Sequence, residues 1–205
     1  RYTTERIDNI ILLSGIETIE NYAFYNTHIT SILIPASVTS VGSHIARNTV
    51  IVDFEDESGT NYCYDGHILY TADKTEILGV FGIVTLPSSL LLPKELVSIG
   101  SNMFGYIDTL TSVSFEDGSA LQTIGSYAFY DTGITEITVP ASVTSLGNRF
   151  VDYRNVNIII EESNTVFYTR DNILYSDNKS QIVAAFDIEN MPAEVTLPKE
   201  LAAIP

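Results

Sequence analysis

The chain has 205 residues, 45% of them apolar, and sets ten Lys and Arg against 26 Asp and Glu for a formal net charge of −16. That apolar content supplies a core and argues against disorder, while the acidic excess disfavours nucleic-acid phosphates and the anionic face of a membrane as partners. Cys63 is the single cysteine, so no intrachain disulfide forms; the longest nearly apolar stretch, Ile77 to Leu86, holds two glycines and falls short of the ~20 residues that span a bilayer.

Residues 1–17 carry Ile7, Ile10, Ile11, Leu12, Leu13 and Ile16, a run suited to a partial or capping repeat. From Thr18 to Gly42 the sequence reads TIENYAFYNTHITSILIPASVTSVG, and at Thr123 to Gly147 nearly the same words recur as TIGSYAFYDTGITEITVPASVTSLG. Phe24 matches Phe129 and Pro35 matches Pro140, each 105 positions on (129−24, 140−35). Within each copy a short turn at Tyr-Ala-Phe precedes strand-like alternation at Ile32 and Ile34 or Ile137 and Val139, and the proline that follows, lacking an N–H, ends the ladder. The glycines after Val41, Ile99, Ile124 and Leu146 are expected at tight corners with φ > 0.

A second strand is expected at Val50, Val52 and Phe54 and again at Val156, Ile158 and Ile160, where the offset becomes 106 (160−54) before a loop restores it. Tyr62 to Tyr70 and Phe167 to Tyr175 each close on Ile-Leu-Tyr, then turn at Ala72-Asp73-Lys74 or Asp177-Asn178-Lys179, and read as strand-turn-strand excursions. Between the copies, Leu96 to Gly125 is one more repeat, with Phe104, Leu110, Val113 and Phe115 in the roles of Phe129, Ile134, Ile137 and Val139. Its glycine steps of 25 (125−100) and 22 (147−125) sit inside the ~20–29 residues of leucine-rich repeats. One such repeat cannot offset the cost of ordering its own backbone, so the units are expected to stack into a solenoid whose short strands form a parallel sheet.

The pattern Ala-Phe followed by I-T-S-x-x-I-P-A-S-V-T-S-x-G, at Ala23-Phe24 with Ile29 to Gly42 and at Ala128-Phe129 with Ile134 to Gly147, resembles the BspA-like, or Treponema-type, leucine-rich repeat family. The segments Asn61 to Thr75 and Val166 to Ser180 resemble that family's D-G-x-L-Y insertions, with Asp171-Asn172 in place of Asp65-Gly66; the tract at Ile45 to Asn48 lacks the Ala-Phe landmark. The resemblance implies a β-rich, right-handed leucine-rich-repeat solenoid of short parallel strands, turns and short 3-10 segments. It further implies an extracellular or cell-surface location and adhesion to a host protein or glycan. On this reading residues 1–205 form one domain: 1–17 a partial or capping repeat, 18–99 a first long unit, 100–122 a linking repeat, and 123–205 a second, truncated long unit. Arg1 and Pro205 both fall inside repeat-like pattern, so the sequence is read as a segment of something longer.

The duplication is an internal control on chemistry. His28, His44, His67 and Cys63 face Gly133, Arg149, Asn172 and Tyr168, so no candidate nucleophile or base is retained in both copies. Cys63 and His67 are four apart and suit a nucleophile and base only with a third, orienting group, and loop filler is the plainer reading. No catalytic residue, no resident metal and no cofactor is expected. Glu55-Asp56-Glu57, Glu116-Asp117 and Glu161-Glu162 follow expected strands and would line one rim, as a solvated edge or, less favoured, as hard oxygen ligands for calcium. Asn178-Lys179-Ser180 fits a glycosylation sequon that its counterpart Asp73-Lys74-Thr75 lacks. The recurring Tyr22, Tyr127, Tyr70 and Tyr175 are expected in coil-to-coil packing.

The expected function is a non-catalytic binding module. An extracellular protein or glycan would meet the concave strand face at Thr30, Ser31 and Leu33, at Thr111, Ser112 and Ser114, and at Thr135, Glu136 and Thr138. The alternative is a structural spacer that projects another domain from the cell surface.

Overall fold

The structure, a computed structural model, describes residues 9–24, 27, 29–42, 45, 51–54, 62–176 and 181–199. It is a β-solenoid whose residues gather into two compact units, Arg1–Leu86 and Pro87–Pro205.

In the first unit the strands are β1 (Asn9–Ile11), β2 (Thr18–Ile19), β3 (Ser31–Ile34), β4 (Ser40–Val41), β5 (Ile51–Phe54), β6 (Tyr62–Tyr64), β7 (Ile68–Thr71) and β8 (Ile77–Val80). β1, β3 and β5 form one parallel ladder, β2 and β4 a narrower parallel one, and β6-β7-β8 an antiparallel meander. Period-2 alternation decides which side chains go in: Ile32 and Ile34 are each 1% exposed, while Ser31 and Leu33, which alternate with them, are half-buried. Ile19, Ile29, Val38, Val41 and Ile45 complete that core, and Leu69 and Phe81 enter it from the meander. The expected strand-turn-strand excursion is therefore three strands, packed into the array's own core.

The second unit repeats the plan with β9 (Ser89–Leu92), β10 (Ser98–Ile99), β11 (Ser112–Phe115), β12 (Thr123–Ile124), β13 (Glu136–Val139), β14 (Ser145–Leu146), β15 (Asn157–Ile160), β16 (Phe167–Arg170), β17 (Ile173–Ser176) and β18 (Ile182–Ala185), then a 3-10 turn at Ile188–Asn190. β9 pairs with β11 and β13 with β15, all parallel; β10-β12-β14 form the narrow ladder and β16-β17-β18 the antiparallel meander. A third column joins the Ala-Phe turns. Phe104 N–H donates to Ala128 O at 2.8 Å, and Phe129 N–H to Phe150 O at 2.7 Å. The rings of Phe104 and Phe129 stack at 5.3 Å and 5°, and both are fully buried. In the first unit Phe24 N–H donates to Ile45 O at 2.7 Å, so Ile45 fills the place of Phe150 where the Ala-Phe landmark is missing.

The one-residue slip read from the sequence appears as a change of step. Ile32 pairs with Val52, 20 residues on (52−32), whereas Ile137 pairs with Ile158, 21 residues on (158−137).

Two expectations are corrected. Gly42, Gly100, Gly125 and Gly147 are not among the glycines with positive φ, which are Gly15, Gly66, Gly82 and Gly118. At three of the four, glycine is required because the preceding coil's backbone lies against its Cα. A Cβ on Gly125 would sit 2.5 Å from Ser101 N, and one on Gly42 or Gly147 would overlap the backbone at Asn21 or Ser126. The left-handed corner falls two residues after Gly100, Gly125 and Gly147, on Asn102 (φ 57), Tyr127 (φ 59) and Arg149 (φ 49), and in the first unit on Tyr22 (φ 60), two residues after Glu20. Second, Tyr70 and Tyr175 are buried as expected and Tyr127 is half-buried, but Tyr22, at the same left-handed corner as Tyr127, is 51% exposed.

Candidate binding face

The longer strands present a regular lattice of outward side chains. In the first unit the ladder registers Asn9 with Ser31, and Ile11 with Leu33 and Asp53. In the second it registers Ser89 with Ser112 and Leu91 with Ser114, then Glu136 with Asn157 and Thr138 with Ile159. Of the residues expected to bind, Ser31, Leu33, Ser112, Ser114, Glu136 and Thr138 lie on these rows, and Thr30, Thr111 and Thr135 immediately precede them. All six in the second unit are exposed; Thr30, Ser31 and Leu33 are half-buried.

Several of these polar groups are already engaged across coils. Ser31 Oγ donates to Asn9 Oδ1 at 2.5 Å, Thr111 Oγ1 to Ser88 O at 3.1 Å and Ser114 Oγ to Leu90 O at 3.3 Å. Asn157 Nδ2 donates to Glu136 Oε2 at 2.9 Å. Those hydroxyls retain acceptor lone pairs, and the carboxylate its second oxygen, so the face offers a partner more acceptors than donors. The sequence reading missed Ile11, 67% exposed, Leu91, 63%, and Ile159, 38%. Leu91 and Ile159 sit inside the unbroken runs Leu90-Leu91-Leu92 and Ile158-Ile159-Ile160, where alternation is invisible; strand register against Ser114 and Thr138 is the signal that identifies them.

The rim residues serve the coils. Glu116 Oε2 accepts the Lys94 N–H at 3.1 Å and Glu161 Oε2 the Ala141 N–H at 2.7 Å, so each carboxylate ties its loop to the coil before it. Glu116 and Glu161, with Pro140, Ala141 and Ser142, line part of a groove of about 370 Å³. Among the described residues no three His, Cys, Asp or Glu side chains converge as metal ligands. Glu55 to Glu57 and the sequon at Asn178 lie outside the described residues, as do His28 and His44.

Cys63 pairs with Tyr70 across the meander, and His67 Nε2 lies 3.3 Å from Thr85 Oγ1. Asp65 organises this turn, its Oδ1 accepting the His67 and Ile68 N–H groups at 2.9 and 2.7 Å. Burial first, then the charges of Asp65 and Asp53, pushes Tyr64 up to about 12. Tyr70 is also raised, by burial and then by Asp65. The shifts move ionisation of both phenols further above the physiological range.

A family model described as BspA type Leucine rich repeat region matches residues 2–66 and 84–200 in six copies. Among solved structures, the pneumococcal vaccine antigen PcpA aligns with 98% of this chain and 52% of its own, at 19% identity and a TM-score of 0.55. A leucine-rich repeat protein from Eubacterium ventriosum aligns with 76% of this chain and 42% of its own, at 22% identity and a TM-score of 0.61. A leucine rich cell surface protein from Faecalibacterium prausnitzii A2-165 aligns with 84% and 52%, at 20% identity and a TM-score of 0.53. The chain thus spans about half the length of each, and at these identities the likeness is one of fold. No curated protein matches the chain.

Proposed function

The chain belongs to the BspA-type leucine-rich repeat family, and from that premise we propose that it is a non-catalytic adhesion module of a secreted or cell-surface protein, binding an extracellular partner across the outward rows of its longer strands. The observation that carries the reading is the exposure of single aliphatic side chains, Leu91 and Ile159, within rows otherwise made of Ser, Thr, Glu and Asn. A docked surface buries what remains exposed of each, and Leu91, at 63% exposure, gains the more, up to ~1.5–3 kcal/mol. The mixture of aliphatic anchors and surrounding acceptors suits a protein better than a glycan.

The test is capture of the purified chain on immobilised extracellular proteins and glycans, with Leu91→Ser, Thr135→Trp and Glu136→Arg compared against the parent. Loss of about tenfold in affinity, ~1.4 kcal/mol, with unchanged circular dichroism supports the reading. Affinity unaltered in all three variants moves the site off this face, and a chain that captures no partner while setting the reach of an attached domain is a spacer.

A further inference from the structure

The column of Ala-Phe turns in the second unit carries a feature that the strand-face reading does not use. Tyr106, Tyr130 and Arg149 come from three successive coils and form one stack. The rings of Tyr106 and Tyr130 meet edge to face at 5.8 Å, Tyr127 meets Tyr130 edge to face at 5.4 Å, and the Arg149 guanidinium carbon lies 4.8 Å from the centre of the Tyr130 ring. Tyr106 is 55% exposed.

The backbone makes this arrangement costly. Tyr106 (φ 63) and Tyr127 (φ 59) occupy the left-handed region, where a non-glycine residue loses ~1–2 kcal/mol. Asn102 stands where Tyr127 does one coil earlier, and Asp131 where Tyr106 does one coil later; both types tolerate that conformation. Burial offsets the cost at Tyr106 only in part, since the residue stays more than half exposed. An exposed aromatic side chain held in a strained corner is the pattern of a contact residue.

Charge narrows the occupant. The Tyr130 face that would take a cation is already covered by Arg149. A polyanion meets a chain of net charge −16. Arg154 pairs with Asp152 at 3.0 Å, and Arg149, whose charge also acts on Asp152, is the cation of the cluster that forms no direct ion pair among the described residues. A guanidinium stacked on a ring keeps in-plane N–H donors for uncharged acceptors. A neutral saccharide matches these groups. Its C–H face packs on an electron-rich ring, and its hydroxyls accept from the guanidinium and exchange hydrogen bonds with the phenols. The geometry points to a saccharide-binding subsite at Tyr106, Tyr130 and Arg149, separate from the strand face, that takes an uncharged sugar ring on the exposed Tyr106.

The experiment titrates the 205-residue chain with cellohexaose, mannohexaose and N-acetylchitotetraose, following tyrosine fluorescence, which no Trp obscures, and calorimetry. Saturable millimolar or tighter binding of at least one sugar is expected, weakened about tenfold by Tyr106→Asn and by Arg149→Gln. Because Asn accepts the left-handed corner, Tyr106→Asn should also raise the unfolding midpoint, so its lost binding is not a folding defect. Tyr22→Asn, at a comparable exposed corner of the first unit, and Glu136→Arg, on the strand face, should both leave sugar binding intact. Binding of none of the three sugars, undiminished binding by Tyr106→Asn, or a lower unfolding midpoint in that variant overturns the subsite. Loss of sugar binding by Glu136→Arg also overturns it, by assigning the sugar to the strand face.

Discussion

Gly147→Ala separates the two reasons a repeat can have for keeping glycine. At a position without positive φ, replacing Gly by Ala ordinarily stabilises by ~0.4–1 kcal/mol through the unfolded chain. The new Cβ, however, would overlap Ser126 N and come 2.5 Å from Gly125 C, both backbone atoms of the previous coil. That coil cannot retreat without stretching the Gly147 N–H bond to Ile124 O, at 2.7 Å, beside the two-residue pairing of β12 with β14. Overpacking of this kind costs ~1–3 kcal/mol or more, so the balance is a net loss of ~2 kcal/mol, or about 4–8 °C in Tm for a chain of this size. Gly100→Ala is the internal control: its Cβ would meet only the flexible Met103 Cε at 3.2 Å, and it should be neutral or stabilising. Urea and thermal unfolding of both variants, with circular dichroism and near-ultraviolet absorbance compared to detect separate melting of the two units, provide the measurement. Equal destabilisation by both substitutions would refute the close-approach account and favour a conformational need for glycine at every corner.

Phe129→Ala removes a fully buried ring stacked on Phe104 and should cost ~3–5 kcal/mol, read as a lower urea midpoint; a loss below 1 kcal/mol would show that the phenylalanine column is not the core of its unit. Lys74→Gly relieves a left-handed residue (φ 58) in the exposed turn between β7 and β8 and should stabilise the first unit by ~1 kcal/mol, with its amide hydrogen exchange slowed. Tyr64 and Tyr70 have phenols raised above their unfolded value near 10, so the folded chain binds more protons than the unfolded one above that pH. Stability from these groups is intact below pH ~10 and falls as pH rises through about 12, and Tyr64→Phe should reduce the slope of that decline in an alkaline unfolding series followed by tyrosinate absorbance.

The ladder was legible in the sequence wherever a periodic signal had one physical cause. Matching Ile32 to Ile137 and Phe24 to Phe129 located coils, because a buried column needs the same side chain at the same place in every turn. The glycines misled because a close backbone approach and a positive φ select the same residue, and sequence carries no mark to tell them apart. The left-handed corners were hidden for the converse reason: Tyr106, Tyr127 and Arg149 are types that ordinarily avoid that conformation, and the hydrogen bonds that hold them there, Tyr106 N–H to Tyr130 O and Tyr127 N–H to Asn148 O, cross between coils.

Context also overrides pattern at the second copy of β9. Ser89–Leu92 forms a strand with Leu92 fully buried, while Glu194–Leu197, 105 positions on (197−92), forms none and leaves Leu197 38% exposed. Val195 and Leu197 stand where Leu90 and Leu92 do, and both segments run into Pro-Lys-Glu. What distinguishes β9 is its partner: it pairs with β11, Leu90 opposite Val113, whereas Glu194–Leu197 pairs with no strand among the described residues. A two- to four-residue strand has too few hydrogen bonds to persist alone, so strand identity in such an array belongs to the pair of coils. Val113→Pro, which removes an N–H from β11 and breaks that strand, should therefore release β9 as well, seen as lost amide protection within Ser89–Leu92. Undiminished protection of Ser89–Leu92 in that variant would mean that the segment holds its strand without β11.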